Sequence, residues 1–119
     1  TRDTVQSALR QVYVNEESAD DELVESVLEA AADGDAVDVF VRCLCGDPGD
    51  PPERLVGSVR CPVRIIWGAQ DPLTPLGFGY GFLFRALAEM RPAQWSLARV
   101  PAGHCPHDDA PAEVPAALL

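Results

Sequence analysis

Residues 62–100 spell a strand, a helix and a second strand, and this order constrains the fold more than any other feature of the chain. Val63-Arg64-Ile65-Ile66-Trp67 is a β-branched and aromatic run with Gly68 behind it, the pattern of a strand covered on both faces. Asp71-Pro72 ends it, and Thr74-Pro75 then pairs a helix N-cap with proline at the first helical position. The helix is expected to run to about Met90, where Arg91-Pro92 stops it. Gly77, Gly79 and Gly81 each cost about 1 kcal/mol relative to alanine, so the helix start is either loose or unusually close to a neighbour. Gln94 to Val100 reads as the next strand and Pro101 to Asp109 as a loop. A last helix is expected near Pro111, bent or delayed by Pro115. This order makes a right-handed βαβ unit with parallel strands, and the fold class is α/β.

The residues before this unit are helical in pattern. Val5, Leu9, Val12 and Tyr13 form one stripe in a helix from Asp3 to Tyr13, with Asp3 available as N-cap. After Ser18 and Asp20, the residues Leu23, Val24, Val27, Leu28 and Ala31 recur at helical spacing until Asp33-Gly34. A third helix, Asp35 to Leu44, aligns Ala36, Val37, Phe40, Val41 and Leu44. Gly46-Asp47-Pro48-Gly49-Asp50-Pro51-Pro52 then breaks the chain, because proline cannot donate and glycine takes positive φ cheaply. Glu53 to Val59 is a short amphipathic piece. We therefore divide the chain into an acidic helical segment, residues 1–52, and an α/β unit, residues 53–119.

Charge follows the same division. Residues 1–53 carry 14 acids against three arginines, whereas residues 54–119 carry five acids against six arginines. An acidic half disfavours binding to a phosphate backbone, which draws its affinity from clustered Lys and Arg, so nucleic acid is not an expected partner. The longest run without charge, Pro72 to Phe84, is 13 residues. That is short of the roughly 20 needed to span hydrocarbon, and no transmembrane segment is expected. The chain opens at Thr1 without an initiator Met and stops at Ala117-Leu118-Leu119 in an apolar helical pattern, so we expect an excerpt from a longer protein. No secretory or transit segment is visible in it.

Cys43, Cys45, Cys61 and Cys105 are expected to be reduced and mostly buried, because no secretory context supports a disulfide framework. A zinc site would have to combine Cys43 and Cys45 with His104, Cys105 and His107, and neither spacing matches the paired gaps of structural zinc. No metal and no cofactor is expected.

The chemistry is concentrated at Asp71 and His104. Each lies just past the carboxyl end of a parallel strand, where open α/β sheets place their sites. A carboxylate there can accept the imidazole Nδ1–H, fix the tautomer and stabilise the imidazolium formed when Nε2 takes a hydroxyl proton. His107 reads as a loop-packing or hydrogen-bonding histidine, and Asp108 and Asp109 as caps of the last helix.

At these residues the chain resembles the α/β-hydrolase family, whose triad runs nucleophile, acid, histidine. Pro62 to Pro75 looks like the acid-bearing strand and turn, and Gly103-His104 like the histidine loop. Gly103-His104-Cys105-Pro106-His107-Asp108-Asp109-Ala110-Pro111 is similar to the plant and algal plastid subgroup that includes pheophytinase-like esterases. Leu9 to Tyr13, Asp20 to Val24 and the helix after Asp35 resemble that subgroup's cap. The resemblance implies a C-terminal α/β-hydrolase portion, with Asp71 as triad acid and His104 as general base and then general acid. It implies a serine-type carboxylic ester hydrolase acting on a small-molecule or lipid-like ester, including a long-chain or phytyl ester, and a plastid location. Tyr13 and Phe40 would then belong to a cap over an apolar pocket.

The chain departs from the family in its nucleophile. Ser7, Ser18, Ser26, Ser58 and Ser96 all lack the Gly-x-Ser-x-Gly turn, and the oxyanion-loop glycines are missing. Cys105 has no strand-to-helix turn to present it as a substitute. We therefore expect this chain alone to be inactive. Two alternatives stay open: a relative of the epoxide hydrolases and dehalogenases, with an Asp nucleophile, or a non-catalytic interaction module with the same fold. The oligomeric state is left open.

Overall fold

A computed structural model describes residues 1–119 and shows a mixed helical and stranded chain with one two-stranded parallel sheet. The elements run α1 (Arg2–Val12), α2 (Asp21–Ala31), α3 (Ala36–Cys45), α4 (Pro52–Leu55), β1 (Val63–Gly68), α5 (Gly79–Met90), β2 (Trp95–Val100), α6 (Pro106–Asp109) and α7 (Glu113–Leu118). The strands pair in register from Val63 opposite Trp95 to Gly68 opposite Val100, so they end level with one another. Helix α5 is the crossover that a parallel pair requires, and it covers β2, while α7 touches both strands. No helix is long and apolar enough to cross a membrane.

Local sequence explains most boundaries. Asp20 caps α2 by accepting the Leu23 N–H at 2.8 Å. Helix α1 starts earlier than the Asp3 cap predicts, because the Thr1 hydroxyl accepts the Thr4 N–H. The crossover helix starts later than expected: Thr74 is not its cap, since its N–H and hydroxyl both go to Asp71. The chain instead passes through extended Phe78, and α5 begins at Gly79 with φ +53°. That left-handed step suits glycine. Gly81 meets the closely packed neighbour that its position suggests, since a Cβ there would overlap the backbone of Pro75 and Leu76. The segment expected as loop, Pro101 to Asp109, holds the single-turn helix α6, and the amphipathic piece after Pro52 shortens to α4. The last helix begins at Glu113 and contains Pro115 in its first turn, where a missing N–H costs little.

The core is small. Only nine of 119 residues are buried, with Val24, Trp95, Val100 and Ala102 its hydrophobic members. Phe84 on α5 bridges Trp67 and Trp95, with ring centroids 6.1 and 6.4 Å away, and ties the crossover to the sheet. The radius of gyration is 16.5 Å, against roughly 13–14 Å for a compact chain of this length. On α3, Val37, Phe40 and Leu44 are each about two-thirds exposed, so the apolar stripe of that helix is not covered.

Two consequences can be measured. A two-stranded sheet leaves an outer edge on each strand, and open edges pair with other chains. The chain should therefore associate or melt at low temperature; a sharp thermal transition independent of concentration, with monomeric light scattering, would contradict this. Gly68→Ala should destabilise by about 1–3 kcal/mol in urea titration, because its Cβ would overlap the carbonyls of Ala102 and Gly103.

Candidate active site

The parallel ladder continues past the strand ends and sets the site. Beyond Gly68, the Ala69 N–H donates to Val100 O at 2.8 Å and the Gln70 N–H to Ala102 O at 3.0 Å. These bonds hold the turn after β1 against the loop after β2. Asp71 and His104 thus emerge side by side at the carboxyl end of the sheet.

Asp71 is almost wholly buried, yet every contact to its carboxylate is a donor. Oδ1 accepts the N–H of Leu73 at 2.9 Å and of Thr74 at 3.0 Å, and Oδ2 accepts the Thr74 hydroxyl at 2.6 Å. His104 Nδ1 lies 3.1 Å from Oδ1 and 3.0 Å from Oδ2. Because an ionised carboxylate only accepts, this contact assigns the ring proton to Nδ1. Burial alone would raise the Asp71 pKa; the hydrogen bonds from the Thr74 side chain and backbone, then from His104 and Leu73, outweigh it and hold the carboxyl below its ordinary value. The imidazole is more than a third exposed, and its Nε2 makes no hydrogen bond within the chain.

Backbone contacts fix the histidine loop from the opposite side. The His104 N–H donates to Val12 O, at the end of α1, at 2.9 Å. Gly103 is required there, since a Cβ would overlap that carbonyl. The Asp109 carboxylate, 2% exposed, accepts the N–H of Gly103, of Val14 at 3.1 Å and of Asn15 at 2.8 Å. The Tyr13 hydroxyl donates to Asp108 at 2.7 Å. Burial first, then that hydrogen bond and the nearby Cys105, push the Tyr13 phenol well above its ordinary pKa of 10.0, which keeps it a donor.

Several expectations change. Asp108 and Asp109 do not cap the last helix, whose N-cap is Ala112; they belong to α6 and bind the segment after α1. Their partners Tyr13, Val14 and Asn15 lie more than 90 residues away in sequence, beyond the reach of local pattern. His107 is exposed rather than packed into the loop. The cysteines are free, but Cys43, Cys45 and Cys61 are exposed and only Cys105 is partly covered. Cys43 and Cys45 lie on α3 while His104, Cys105 and His107 lie around α6, and no group of three metal-ligating side chains forms. Thr74 is a site residue that sequence reading gave to a helix cap. The Asp-Pro-Leu-Thr spacing, with an aspartate two and three residues before the donors it takes, is the available signal.

The serines do not complete the pair. Ser18, Ser58 and Ser96 bond backbone carbonyls, and no serine hydrogen-bonds His104. Clefts of about 420 and 390 Å³ lie between α2 and α3 and include Phe40, and one of about 530 Å³ lies between α5 and β2. None of the three is lined by Asp71 or His104. No protein-family model, curated protein or solved structure matches the chain.

The Asp71 shift has a definite sign. A carboxyl whose folded pKa is below the ordinary 3.8 favours the folded state above that value. The stabilisation is lost as pH falls through the lower, folded value. Urea titrations should therefore show Asp71→Asn destabilising the chain near neutral pH, with the difference from the parent narrowing as pH falls below 3.8 and through the lower, folded value. Thr74→Val should cost about 1.5–3 kcal/mol near neutral pH, for the loss of one hydroxyl bond to a buried, ionised carboxylate.

Proposed function

We propose that this chain is the acid-and-histidine portion of an α/β-hydrolase fold, and that it serves a serine-type carboxylic ester hydrolase whose nucleophile lies outside these residues. The observation that carries the reading is the 3.0 Å contact between Asp71 Oδ2 and His104 Nδ1 at the level ends of two parallel strands. The carboxylate orients the ring and stabilises its cationic form. Nε2 then takes the proton of an attacking hydroxyl as the new acyl bond forms, and returns it to the departing alcohol oxygen as the ester bond breaks. In the second half-reaction the same nitrogen takes a proton from water and gives it back to the nucleophile. Asp71 stays ionised throughout.

The finer reading names a long-chain or phytyl ester as substrate and a plastid as compartment. Its support is the Gly-His-Cys-Pro-His-Asp run at residues 103–108 and the uncovered apolar stripe of α3, which suits a greasy alcohol or acyl chain. An Asp nucleophile in place of serine would use the same base to activate water instead.

Hydrolysis of a chromogenic short-chain ester tests the proposal. This chain should be inactive, and a version extended toward its N-terminus by the parent sequence should be active. His104→Ala and Asp71→Asn in the extended protein should lower kcat by about a thousandfold or more. Ester hydrolysis unchanged by His104→Ala would refute the assignment, and none in any extended version would favour the non-catalytic module.

A further inference from the structure

We propose that Asp109 is a positioning residue for His104: its buried carboxylate ties the chain leaving α1 to the histidine loop, and that tie aims the imidazole at Asp71. The proposal deepens the reading of Asp71 and His104 as acid and base, and rests on it. His104 lies four residues past the end of β2, too far for the sheet alone to hold it. Two peptide N–H groups place its backbone. That of Gly103 donates to Asp109, and that of His104 donates to Val12 O. Asp109 also accepts from Val14 and Asn15, so one side chain fixes the position of the α1 exit relative to the loop. Helix α6 holds Asp109 itself, through its own N–H to Cys105 O at 2.8 Å.

The chemistry of the residue is specific. Asp109 forms no salt bridge, so its buried carboxylate is met by backbone N–H groups alone. Oδ2 accepts two of them and Oδ1 the third. An asparagine of the same shape would aim its amide hydrogens at one or more of these N–H groups, whichever way it is turned. Asp109→Asn is therefore a disruptive substitution despite its size.

The test reads the imidazole directly, by ¹⁵N-edited NMR of the ring tautomer and exchange of the Nδ1 proton, which needs no nucleophile. The unsubstituted chain should show the Nδ1–H form. In Asp109→Asn that form should give way to a mixture, with the Nδ1 proton exchanging at least about tenfold faster. Ser58→Ala, which breaks an exposed bond to Leu55 O outside both loops, should leave the ring signals in place. Should Asp109→Asn unfold, Val14→Pro removes one donor from the opposite side; Tyr13 before it is already extended, as the residue before a proline requires. Val14→Pro should shift the tautomer in the same direction. In the unsubstituted chain, the amides of Gly103 and Asn15 should share one opening equilibrium with the Nδ1 proton. An unchanged ring in a folded variant, or a protected Nδ1 proton beside freely exchanging Gly103 and Asn15 amides, overturns the role of Asp109 and leaves the hydrolase reading intact. Absence of the Nδ1–H form from the unsubstituted chain overturns both.

Discussion

The candidate site depends on the parallel pairing of β1 and β2 running past the sheet. Gly68 and Val100 are the last paired residues, and the bonds from Ala69 and Gln70 carry the alignment into the loops. This continuation requires the two backbones to approach more closely than a side chain allows. Gly68 meets the requirement from one loop, since a Cβ would run into the Ala102 and Gly103 carbonyls. Gly103 meets a separate close approach, that of the histidine loop to Val12 O at the end of α1. With both glycines in place, an aspartate three residues past one strand and a histidine four past the other come within hydrogen-bonding distance.

Two buried carboxylates then organise what a small hydrophobic core leaves undetermined. Asp71 works locally: its donors are Leu73, Thr74 and one ring nitrogen. Asp109 works across the chain and joins the acidic helical half to the α/β unit. Both meet the same condition, that a charge removed from water must find several well-aligned donors. A chain with nine buried residues has few apolar contacts to spare, so these polar junctions carry much of the geometry of the site. The acidic surface pairs, such as Arg2 with Asp21, are exposed and contribute little.

Sequence and structure agree where the code is local. The run Val63 to Trp67, the segment before Val100 and the turn at Asp71-Pro72 were legible from side-chain alternation and turn chemistry, and so was the pairing order. The helical spacing of Leu23, Val24, Val27, Leu28 and Ala31 was legible for the same reason and became α2. Thr74 was misassigned because a threonine before proline favours both a helix cap and an aspartate turn, and only the Asp71 carboxylate decides between them. The surface exposure of Cys43, Cys45 and Cys61 was not legible, because burial depends on which helix faces find partners.

By itself the sequence determined the two strands, the three leading helices and the crossover helix, that the strands are parallel, and that an acid and an imidazole leave the same end of the sheet. These follow from periodicity, turn residues and the crossover rule, all of which act over a few neighbouring residues or a single chain direction. The tertiary structure alone decided that Asp109 is a buried clamp rather than a helix cap, that Val12 supports His104, and that the α3 stripe stays uncovered. Those outcomes depend on groups up to 95 residues apart meeting in space, and no local pattern of side chains encodes such a meeting.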